Sequence, residues 1–275
     1  MERILLVLNA RQPDISSIDF ACRIASIANT KLTGLFIENP YLELIPPDID
    51  GPSYFETIDK ITHFAVTADT DQSVRLFKDE CQLKGITPEI CIDHGEPIQE
   101  ISYETRFADL LIIDPGISFY NRQESLPSHL VKEILNRAEC PVLLASEHFK
   151  EPDEIVFCFD GSASSVFAIK QFTYLLPEFE NKKAILLEIN DTSEEKFKDG
   201  HRRMMAWLRS HYRSVNYHGL QGDVKDTLFP YFFTKEKKWI VMGSYGRSLL
   251  SNIFRKSRAD ILIRTVDLPI FITHH

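Results

Sequence analysis

The residues of this 275-residue chain whose types and spacing could do chemistry gather at two turns in its second half. The first is Val241-Met242-Gly243-Ser244-Tyr245-Gly246, followed by nine residues from Arg247 to Arg255 and then by Lys256, Ser257 and Arg258. Two glycines three apart let the backbone approach a ligand closely and present consecutive N–H groups to a phosphate. Ser257 stands just ahead of a stretch with helical spacing, where a hydroxyl and a helix N-terminus favour an anion. Between 243 and 264 there are five basic residues, Arg247, Arg255, Lys256, Arg258 and Arg264, against the single acid Asp260. The second turn is Phe159-Asp160-Gly161-Ser162. Asp160 can accept hydrogen bonds from a ribose hydroxyl or an adenine amino group, and Ser162 can cap the helix that follows. Read without a ligand, the first turn is a tight strand-to-helix connection with a solvated basic face and the second is a helix start.

These turns work together only if the elements behind them bring their ends side by side. Short continuous apolar runs, bounded by turn residues, read as strands buried on both faces. They occur at Ile4–Leu8, 33–37, 88–92, 110–113 and 141–145, with helical spacing in between at about 18–28, 57–84, 98–105 and 126–137. The alternation predicts a parallel sheet with helices on both faces. The series then restarts. Strands are expected at 155–159, 184–189, 215–218, 239–242 and 269–273, and helices at about 162–176, 193–212, 224–234 and 249–264. In such a sheet ligands bind outside the carboxyl ends of the strands where strand order reverses, which is where Asp160 and Gly243 would stand.

Paired anchors point to a duplication: Glu2-Arg3-Ile4-Leu5 with Asp153-Glu154-Ile155-Val156, Gly95-Glu96-Pro97 with Gly222-Asp223-Val224, and Cys140-Pro141-Val142 with Leu268-Pro269-Ile270. The expected architecture is α/β, two tandem open-twisted five-stranded parallel sheets of Rossmann type, with domains at 1–148 and 152–275. The segment 38–55, with four prolines, has no counterpart in the second copy. The formal charge of -9 divides unevenly, 13 basic against 24 acidic residues in 1–150 and 18 against 16 in 151–275. An acidic chain is poorly suited to wrapping nucleic acid, and within it the second copy suits anions better.

The five cysteines, Cys22, Cys81, Cys91, Cys140 and Cys158, form no C-x-x-C pair and read as reduced, buried thiols of a cytoplasmic protein. No apolar stretch is long enough to span a membrane. P-loop, dinucleotide, metalloprotease and nucleophile-elbow motifs are absent, the histidines are scattered, and no metal site is expected. Phe229-Pro230-Tyr231-Phe232-Phe233 reads as a core-facing short helix. Arg202-Arg203 and Lys235 to Lys238 read as solvated faces.

The pattern resembles the universal stress protein family in tandem form, over essentially the whole chain. The resemblance implies an adenine nucleotide, ATP or a relative with Mg²⁺ as a possible companion, held by the second copy. It assigns Asp160 to the nucleoside end, Ile189 and Met242 to contacts with the base, and Gly243, Gly246, Ser257 and its neighbours Lys256 and Arg258 to the phosphates. Lys256 departs from the family's glycine. Its side chain crowds the phosphates, or its ammonium reaches them as a point charge; both readings stand. In the first copy Asn9 replaces the aspartate and Asp114-Pro115-Gly116-Ile117 replaces the glycine turn, so no ATP is expected there. The first copy is expected instead to contact protein partners or its sister copy. The Pro141 and Pro269 strands are expected to pair in a pseudo-dimer, with a homodimer as a further option. Three functions follow: a nucleotide-binding regulator with little or no hydrolysis, a stress-response scaffold that has lost the nucleotide, and an adenine-nucleotide hydrolase-like enzyme with only Tyr245 and Ser248 near the turn.

Overall fold

The structure, a computed structural model, describes residues 1–38, 69–119, 124–190, 195–221, 230–232, 237–243 and 267–273. Among these the chain runs β1 (Arg3–Asn9), α1 (Ile15–Ile27), β2 (Lys31–Ile37), α2 (69–83), β3 (Pro88–Asp93), α3 (Pro97–Glu104), β4 (Leu110–Ile113), α4 (His129–Arg137) and β5 (Val142–Leu144). It continues through β6 (Glu154–Phe159), α5 (Ala163–Leu175), β7 (Lys183–Asn190), α6 (Glu195–Arg209), β8 (Ser214–Gln221), β9 (Lys238–Gly243) and β10 (Ile270–Thr273). The expected helix over 57–84 is observed as 69–83, its earlier part lying outside the described residues. So does the expected helix over 249–264, and of 224–234 only 230–232 is described, as helix.

The helices begin and end for local reasons. Asp14 accepts the Ser16 and Ser17 amides at the start of α1, and Ser128 accepts the Val131 amide at the start of α4. Gly85, at φ 71°, takes the left-handed conformation after α2, and the Ile86 amide reaches back to the Cys81 carbonyl.

The expected pairing of the two fifth strands is observed, and it joins the two five-stranded sheets into one. All ten strands form one sheet, in the order β3-β2-β1-β4-β5-β10-β9-β6-β7-β8. Each five-stranded half is parallel, and the halves join where β10 runs antiparallel to β5, with Phe271 opposite Leu143. Both joining strands are short and wholly buried. Left apart, each would present a row of unpaired amides and carbonyls at an apolar edge, and pairing them removes both edges. The outer strands β3 and β8 alternate in exposure, as edges must.

One apolar cluster covers each face. The first takes Ile4, Leu6 and Leu8 with side chains of α1, α2, α5 and α6, and the second takes Leu5 and Val7 with side chains of α3 and α4. Both clusters cross from one half to the other. Phe20 of α1 stacks on Trp239 of β9 with centroids 5.9 Å apart, and Phe149 meets the same indole edge-on.

Candidate functional site

In the second half β6 has β7 on one side and β9 on the other. The chain leaves β6 toward β7 and later returns to its opposite flank, so the carboxyl ends of β6 and β9 form a switch point, the place where parallel sheets take ligands in a crevice. Asp160 is the first residue past β6. Its Oδ1 accepts the Ser162 amide at 2.9 Å, and Gly161 turns the chain at φ 74°. Ser162 then caps α5, its Oγ accepting the Ser165 amide at 3.1 Å. One compact turn therefore fixes the carboxylate and the first turn of α5.

Gly243 closes β9 directly against that turn. A Cβ built there would lie 2.5 Å from the backbone carbon of Ser164 and 2.5 Å from its Oγ. Glycine at 243 lets the end of β9 approach the start of α5, so its first role is to pack two chain segments. This brings Asp160 and Gly243, 83 residues apart in sequence, to neighbouring strand ends. Met242 precedes Gly243 and is buried in the second apolar cluster. Ile189 sits near the end of β7, in register with Leu220 of β8. Gly246, Lys256, Ser257 and Arg258 lie outside the described residues, as do Tyr245 and Ser248.

The corresponding turns of the first half are built differently. Asn9 uses its side chain inside the protein, donating to the Ser118 carbonyl and accepting the Arg11 amide. Asp114, past β4, accepts the Gly116 amide at 3.1 Å. Burial pushes the Asp114 carboxyl above its ordinary range, and the Gly116 amide offsets only part of this. Ser128, the hydroxyl that could have faced a phosphate, donates to the Ile117 carbonyl and caps α4. A cavity of about 330 Å³ beside these turns is lined by Asp14, Asp114, Glu147 and Asp267 among others. Four carboxylates repel a phosphate.

Three arrangements escape a reading of the sequence. Lys238 was expected on a solvated face; the structure buries it to 1% exposure, with Nζ 3.3 Å from Glu154 and 4.1 Å from the centre of the Tyr231 ring. It opens β9, an interior strand, so its stem has no route to water, while Lys237 just outside stays exposed. Glu188 near the end of β7 is buried, with His201 Nδ1 at 3.2 Å and the Tyr217 hydroxyl donating at 3.1 Å. Cys22 and Cys81 meet with their sulfurs 3.5 Å apart, although all five cysteines are free thiols. A strand-period scan could have flagged Glu188, because it shares the face of Ala184 and Leu186. Nothing local signals the other two. Among the described residues no helix is long and apolar enough to cross a membrane, and no cluster of three metal-ligating side chains occurs.

No protein-family model matches the chain. No curated protein matches it either. Solved structures do. A universal stress protein from Archaeoglobus fulgidus DSM 4304 superposes with a TM-score of 0.68 at 14% identity, covering 98% of this chain and 98% of its own. A provisionally assigned universal stress protein from Pseudomonas aeruginosa UCBPP-PA14 gives 0.60 at 16% identity, covering 100% and 93%. A functionally unknown protein, PA1789 from Pseudomonas aeruginosa PAO1, gives 0.59 at 15%, covering 100% and 92%. At such identities the likeness is one of fold.

Proposed function

We propose, for a chain with the universal stress protein fold, that its second half binds an adenine nucleotide, ATP or a close relative, as a regulatory ligand. The observation that carries this reading is the meeting of the Asp160 turn with Gly243 at the carboxyl ends of β6 and β9. That crevice is where a parallel α/β sheet takes ligands, and a fixed carboxylate suits a ribose hydroxyl or an adenine amino group. Asp160, Met242 and the Ile189 backbone would hold the nucleoside. Gly243 and Gly246, with Lys256, Ser257 and Arg258, would hold the phosphates, in a stretch whose local charge is +4. The bound group would supply charge to be sensed rather than a bond to be broken. The first half would not share this role: its equivalent hydroxyl and amide side chains are spent within the fold, and four carboxylates border the place where phosphates would lie. In this reading 1–148 and 152–275 are tandem domains with divided roles.

Calorimetric titration with ATP, ADP and AMP, with and without Mg²⁺, tests the proposal. One site per chain is expected, and free ligand a hundredfold above its dissociation constant should stabilise the fold by about 2.7 kcal/mol. Absence of heat and of any thermal shift at millimolar nucleotide would leave a scaffold role in its place. Steady release of phosphate by the wild-type chain would instead make it an enzyme.

A further inference from the structure

We propose that Cys22 and Cys81 form a redox pair which a hydroperoxide closes into a disulfide, fastening α2 to α1. The two residues are 59 apart in sequence, yet their sulfurs lie 3.5 Å apart where the two helices pack on the same face of the sheet. Both side chains are wholly buried in one apolar cluster. Lys84, on the same flank, is held by Asp19 at 3.2 Å and Glu80 at 3.0 Å, and the charges of all three act on the pair.

The chemistry is directional. Either sulfur can donate across this contact; with Cys81 as the donor, Cys22 is held below the ordinary thiol range, Lys84 adding to the pull and burial, Asp19 and Glu80 opposing it. Cys81 is pushed upward by that same hydrogen bond and by burial. Thiolate is the nucleophile in such oxidations, so Cys22 attacks first. Its sulfur takes one oxygen of the oxidant, here hydrogen peroxide, the O–O bond breaks, and the other oxygen leaves as hydroxide and is protonated to water (an organic hydroperoxide would release its alcohol instead), giving a sulfenic acid. The Cys81 sulfur then attacks the Cys22 sulfur. The S–O bond breaks, the Cys81 proton goes to the departing hydroxide, and a second water leaves. In sum, two thiols and one peroxide yield one disulfide and two waters. The remaining cysteines are poorer candidates: burial pushes Cys140 and Cys158 up to about 12 and raises Cys91 as well. Cys81 lies two residues from the exposed carboxyl end of α2 at Leu83, within its last turn, and fraying of a last turn is a low-cost opening for a small oxidant.

The test treats the folded wild-type chain with hydrogen peroxide and follows it by intact mass and non-reducing peptide mapping. The expected result is loss of two hydrogens per chain, a peptide joining Cys22 to Cys81, and a melting temperature raised by several degrees, all reversed by dithiothreitol. In Cys81→Ser the reaction should stop at a sulfenic acid on Cys22, trapped by dimedone. If that variant does not fold, the wild-type map decides alone. Oxidation of Cys91 while Cys22 and Cys81 stay reduced would overturn the proposal. So would a Cys22–Cys81 link that forms only in denaturant.

Discussion

At the residue scale, Asp160 and Gly243 carry different burdens although they share a crevice. Asp160 is half-buried and makes one backbone hydrogen bond that any small acceptor could make. Asp160→Ala is therefore expected to leave most of the stability and to lower adenine-nucleotide affinity about tenfold or more, the scale of a lost hydrogen bond to a charged group, read by calorimetry. Gly243 has no such latitude, because its neighbour is the Ser164 backbone. Gly243→Ala should cost about 1–3 kcal/mol of stability through overpacking, visible in chemical denaturation without nucleotide. Asp114 supplies a pH signature. Its folded carboxyl holds a proton more tightly than the ordinary value of 3.8 allows, because of burial. Below that value both states are protonated and nothing is lost. As pH rises through the raised folded value, the native state gives up its proton against burial and stability falls. Asp114→Asn keeps an acceptor for Gly116 and removes this loss, so its advantage over the wild type should grow as pH rises above 3.8, through the raised folded value, and then level off. A flat difference across that range would exclude the burial explanation.

At the scale of elements, the helix starts are the parts that local chemistry explains best. Asp14, Ser128 and Ser162 each cap a helix whose first apolar residues face the sheet. Ser162→Ala should cost about 1 kcal/mol, lowering the melting midpoint of the whole chain, and it should also loosen the Asp160 turn, so a fall in nucleotide affinity measured on the folded chain is the second expected effect. The sheet interior was equally legible. Continuous apolar runs such as Leu110 to Ile113 could only be strands covered on both faces. Lys238 shows where local reading ends. In a run of lysines it reads as solvated, and only its place at the mouth of an interior strand buries it against Glu154 and Tyr231.

At the scale of the molecule, the join of β5 to β10 turns two parallel sheets into one and lets both apolar clusters run through the join. Phe20 and Trp239 come from opposite halves and stack. Phe20→Ala should thus cost about 3–5 kcal/mol and alter the fluorescence of Trp239, a reporter on the other half. Tryptophan fluorescence and far-ultraviolet circular dichroism should also melt at one midpoint in the wild type. Two separated transitions would mean that the shared core couples the halves weakly.

What the sequence determined by itself was periodic or local: the alternation of strands and helices, the Ser162 cap, the turn after β6, and the departures of Asn9 and Asp114 from the second half's pattern. These follow from side-chain spacing and turn chemistry, which act over a few residues. The tertiary structure alone decided that Gly243 serves Ser164 before it serves any ligand, that Lys238 meets Glu154, and that Cys22 meets Cys81. Each of these joins residues far apart in the chain, and no local pattern encodes a partner at that distance. Such contacts form because burying both apolar faces and both inner sheet edges at once leaves few arrangements of the same elements.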